Sequence, residues 1–73
     1  MNTEELQDIL DREPFQPVRL RLTSGDSREI TRPGMAMLLK SRLFIATPDS
    51  DHWTLIPFLH IASIETIDNG HNQ

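Results

Sequence analysis

Cysteine is absent from the 73 residues, so neither a disulfide nor a thiolate metal site can brace the fold. Long hydrophobic runs are missing too. Met35-Ala36-Met37-Leu38-Leu39 and Leu55-Ile56-Pro57-Phe58-Leu59 fall far short of the roughly 20 apolar residues that cross a bilayer. The opening Met1-Asn2-Thr3-Glu4-Glu5-Leu6 has neither the basic region nor the apolar stretch of a secretory signal, so no membrane association and a cytoplasmic location are expected. Basic residues are in deficit: Lys and Arg number 7 against 11 Asp and Glu, a formal charge of −4. That balance repels a phosphate backbone and disfavours nucleic-acid binding. A chain this short buries only about 60% of its unfolded surface, and a core this small rarely supplies more than about 3–5 kcal/mol. Self-association is a natural remedy.

What is present is β patterning. Val18-Arg19-Leu20-Arg21-Leu22-Thr23 alternates apolar and polar, runs into Ser24-Gly25-Asp26, and resumes as Ser27-Arg28-Glu29-Ile30-Thr31, the signature of a β-hairpin. A three-residue loop over Ser24–Asp26 sets Leu20 opposite Ile30 and Arg21 opposite Glu29, whereas a two-residue turn would pair core positions with solvent-facing ones. Upstream, Asn2 and Glu5 resemble a capping box and Leu6, Ile9 and Leu10 make an apolar stripe, predicting a helix from about Thr3 to Arg12. Pro14 and Pro17 break it.

Downstream, Pro33-Gly34 marks a second break, and Met35 to Lys40 reads as an apolar or helical turn covering one end of the sheet. Arg42–Thr47 and His52–Ile56 read as the third and fourth strands around a Pro48–Asp51 loop, with Pro57 ending the fourth. Ile61–Ile67 is ambiguous, because isoleucines three apart suit a helix face. Its β-branched content favours a strand, reached through a 3₁₀ connection over Pro57–His60. The polar tail 68–73 is expected to be disordered. The predicted architecture is one domain over 1–67: mainly β within the α+β class, a short N-terminal helix and then, over 18–67, a strongly bent five-stranded antiparallel sheet or small SH3-like or Sm-like barrel.

No residue cluster announces chemistry, and neither catalysis nor a cofactor is expected. His52, His60 and His71 lack metal-ligand spacing. Asp49-Ser50-Asp51 resembles the opening of a calcium loop, but the glycine at the sharp turn and the bidentate glutamate at position 60 are missing. The serines lack a nucleophile-elbow setting. Arginines gather in the first hairpin at 19, 21, 28 and 32. Arg19 and Arg21 fall on the solvent face as a weak candidate polyanion contact, with Glu29 offsetting Arg21. The Asp and Asn constellation and the Arg-Gly pair through which Sm-like proteins bind RNA are absent.

Aromatics give the sharper lead. Phe44 has opposite strand parity from Leu43 and Ile45, and Trp53 from Thr54 and Ile56, so the second hairpin is apolar on both faces. Either the N-terminal helix covers the surplus face through Leu6, Ile9 and Leu10, or a partner does, with Phe44, Trp53 and Phe58 as candidate contacts.

The run Arg12-Glu13-Pro14-Phe15-Gln16-Pro17-Val18-Arg19-Leu20-Arg21-Leu22-Thr23-Ser24-Gly25, with Pro33, Ser41-Arg42-Leu43-Phe44-Ile45 and Leu59-His60-Ile61-Ala62-Ser63-Ile64-Glu65, resembles a family of small uncharacterised bacterial proteins across about residues 12 to 65. The resemblance implies no activity, cofactor or catalytic residue. The expected function is a non-catalytic module that binds a protein partner or a second copy of itself. The alternative is a weak nucleic-acid-binding or regulatory small barrel.

Overall fold

The computed structural model describes residues 2–67; the tail 68–73, with His71, lies outside them. Helix α1 spans Thr3–Leu10, two residues shorter than the sequence predicts. Its start is fixed by Asn2, whose side-chain oxygen accepts the Glu5 N–H at 2.8 Å, one of the donors a helix start otherwise leaves unpaired. Asp11 caps the other end with its N–H on the Gln7 carbonyl.

Six strands follow: β1 (Val18–Leu22), β2 (Ser27–Ile30), β3 (Ala36–Leu38), β4 (Arg42–Ala46), β5 (Trp53–Pro57) and β6 (Ile61–Thr66). They form two antiparallel three-stranded sheets, ordered β2-β1-β6 and β3-β4-β5. The expected single five-stranded sheet or small SH3-like or Sm-like barrel is therefore corrected: the strands make two separate sheets and close no barrel. The additional strand is β3, within the segment read as a turn. Pro33 opens a 3₁₀ turn over Pro33–Met35, and the chain extends immediately after it to pair with β4. A second 3₁₀ turn, Phe58–His60, follows Pro57 as expected. These turns carry the chain from one sheet to the other and back, so no continuous ladder joins them.

The first hairpin keeps the predicted faces with its register moved by two. Arg19, not Arg21, lies opposite Glu29, and Leu20 opposite Arg28. The loop is Thr23–Gly25: the Leu22 carbonyl accepts the Gly25 N–H at 2.9 Å, and the Leu22 N–H donates to Asp26 at 2.9 Å. A turn of this kind needs positive φ at its third residue. Gly25, at φ 98°, supplies it at no steric cost, whereas the loop Ser24–Asp26 expected from sequence would ask it of Asp26.

Strand β6 resolves the isoleucine ambiguity. Arg21 pairs with Ser63 while Leu22 pairs with Ile61, leaving Ala62 as an extra, bulged residue. The bulge resets the parity. Ile61 is buried and Ile64 packs against the core although they stand three apart.

One core cluster unites these elements: Leu6 and Leu10 from α1, Val18, Leu20, Ile30 and Ile61 from the first sheet, and Leu43, Ile45 and Ile56 from the second. Fully burying each such side chain contributes roughly 1.5–3 kcal/mol. Among the described residues, all the buried ones are apolar.

Candidate interaction surface

With Leu43, Ile45 and Ile56 turned inward, strand alternation sends Met37, Phe44, Ala46, Trp53, Leu55 and Pro57 to the outer face of the second sheet. The register aligns Met37 with Phe44 and Phe44 with Leu55, so an apolar row crosses all three strands. Trp53 sits opposite the small Ala46, which leaves its indole free to lean along the diagonal onto Phe44. The rings stack with centroids 5.8 Å apart and planes inclined by 20°. Trp53 is nevertheless 59% exposed and Met37 61%.

Helix α1 does not supply the cover. Its Leu6 and Leu10 belong to the core cluster, with Ile9 packed against it, whereas Met37, Phe44, Trp53 and Leu55 are neither in that cluster nor among the residues packed on it. Of the two covers considered from sequence, the helix is thereby excluded.

The structure brings together Phe44 and Trp53 but not Phe58. Phe58 lies in the second 3₁₀ turn, half-buried against the core. It lines a groove with Lys40, Ser41, Arg42, Pro57 and Leu59, of which Leu59 is 91% exposed. Arg42 and Pro57 pair at the end of the β4–β5 ladder, so this groove adjoins the apolar face. Met37 and Leu55 complete that face and were missed from sequence. Met37 fell in the segment read as a turn; Leu55 shares parity with Trp53, a signal that was available.

Arg19 and Arg21 occupy the outer face of the first sheet, already engaged. The Arg19 guanidinium reaches Glu29 at 3.0 Å and Glu65 at 3.9 Å, and Arg21 donates to Glu65 at 3.1 Å. Among the described residues, no group of three or more histidine, cysteine or acidic side chains is placed to hold a metal, and no helix is long and apolar enough to cross a membrane.

No family model, curated protein or solved structure matches this chain.

Proposed function

We propose that this protein is a non-catalytic interaction module that docks a protein through the outer face of the β3-β4-β5 sheet. The observation that supports it is the uncovered apolar row Met37–Phe44–Leu55 with Trp53 stacked beside it. An apolar surface of this kind, anchored by an exposed tryptophan, gains free energy when a partner removes it from water. Weak polyanion binding through Arg19 and Arg21 draws no support from the first sheet, because each guanidinium already meets a carboxylate.

Affinity capture from a native-host lysate tests the proposal. The wild-type bait should retain a specific protein, itself included, and the Trp53→Glu bait should lose it while keeping the same circular dichroism. Equal recovery by both baits, or recovery of nothing by the wild type, overturns it.

A further inference from the structure

We infer that the occupant of this face is a second copy of the chain, stacked face to face about a two-fold axis that runs along the Met37–Phe44–Leu55 row. The inference rests on the docking surface proposed above and names what covers it.

Charge distribution is the first support. Within residues 3–13, Glu4, Glu5, Asp8, Asp11 and Glu13 stand against Arg12 alone, which accounts for the whole formal charge of −4. The rest of the chain holds equal numbers of acidic and basic side chains. The second sheet belongs to this balanced part, so bringing two copies of it together sets no net charge against its like.

The rim of the face is polarised along the strands. Lys40 and Arg42 stand at one end of the β4–β5 hairpin, and Asp49 and Asp51 in the turn at the other. All four are exposed, and none takes part in an ion pair among the described residues. At about 3.3 Å per residue the two ends lie on the order of 20 Å apart. A two-fold axis along the strands would place like charges over one another. An axis across the strands exchanges the ends, so the cationic end of each copy meets the acidic turn of the other, and the contact occurs twice by symmetry.

The same operation matches shapes. The axial row stacks on its own copy. Trp53 is carried over Pro57 of the second copy, a large flat ring over a small one. Arg42 is carried over Ala46 of the second copy, where the short side chain lets the guanidinium reach toward the turn carboxylates. Two sheets packed in this way keep their strands within about 30° of each other.

Three strands of 3, 5 and 5 residues offer less than the roughly 800 Å² per partner of a standard interface. A weak dimer, with Kd on the order of 10–100 μM, is expected.

Sedimentation of the purified full chain decides the matter. The wild type should shift from monomer to dimer between about 10 μM and 1 mM. Arg42→Glu alone and Asp51→Arg alone should each weaken association about tenfold or more, because each doubles a like-charge contact. An equimolar mixture of the two variants should recover wild-type association, since both symmetric contacts then pair opposite charges. Both positions are exposed, and recovery on mixing itself shows that each variant is folded. A wild type that stays monomeric throughout overturns the inference. So does a dimer that the mixture fails to recover, which rejects this orientation. If the wild type is monomeric while lysate capture still depends on Trp53, the inference falls and the docking surface stands; if neither is seen, both fall.

Discussion

The two sheets share one core and differ on the side that faces away from it. On the first, Arg19 lies between Glu29 and Glu65, its partners on the two neighbouring strands, and the charges satisfy one another across the ladder. On the second, the equivalent positions hold Met37, Phe44, Leu55 and Trp53. Both sheets therefore read as strands, but only the first alternates apolar with polar. A polar outer face is complete in water. An apolar one, with Trp53 59% and Met37 61% exposed, adds little to folding beyond the stack of Trp53 on Phe44, and gains most through a covering partner.

The shared core sets the largest effect. Leu20 and Leu43, both 0% exposed, should each cost about 2–5 kcal/mol when changed to alanine. Against a core that rarely supplies more than about 3–5 kcal/mol in a chain this small, either loss is a large share, so each variant should show a strongly lowered urea midpoint by circular dichroism. A marked inequality between them would show that the sheets do not depend equally on the cluster.

The outer faces separate next. Trp53→Ser removes the stack on Phe44 and should lower stability by about 1 kcal/mol in urea titration of dilute monomer. Because the loss is apolar, added sodium chloride should leave its size unchanged. Arg19→Ala should cost less, about 0.2–1 kcal/mol for pairs this exposed, and this loss should fade toward about 1 M salt, where charges are screened within about 3 Å. A salt-dependent Trp53→Ser or a salt-independent Arg19→Ala would erase the distinction between the two faces.

Much of this was legible in the residues. Alternation identified β1 and β2, short apolar runs on either side of the Pro48–Asp51 turn formers identified β4 and β5, the Asn2 cap marked the start of α1, and the parity of Phe44 and Trp53 exposed the two-sided hydrophobicity of the second hairpin. Three features were not. Strand β3 is three residues long, too short for a period to show, and depends on pairing with β4. The hairpin register depends on where the turn admits positive φ, and both centrings keep the same side chains inside. The division into two sheets is set by the 3₁₀ turns at 33–35 and 58–60, which carry no hydrophobic pattern of their own. Phe58 misled because its aromaticity was counted with the strand face, whereas it follows Pro57 into a turn and packs inward.

The extra residue in β6 also governs which length variants this fold accepts. Ser63 and Ile61 already face successive residues of β1, so a chain lacking Ala62 would zip into an ordinary ladder with every remaining side chain on its present side. Deleting Ser63 would have the same outcome, with Ala62 taking its place opposite Arg21, whereas deleting Ile64 would set Ser63 at the core position opposite Leu20. Related chains that differ in length here are therefore expected to have gained or lost one residue between Ile61 and Ile64 and to have kept both isoleucines.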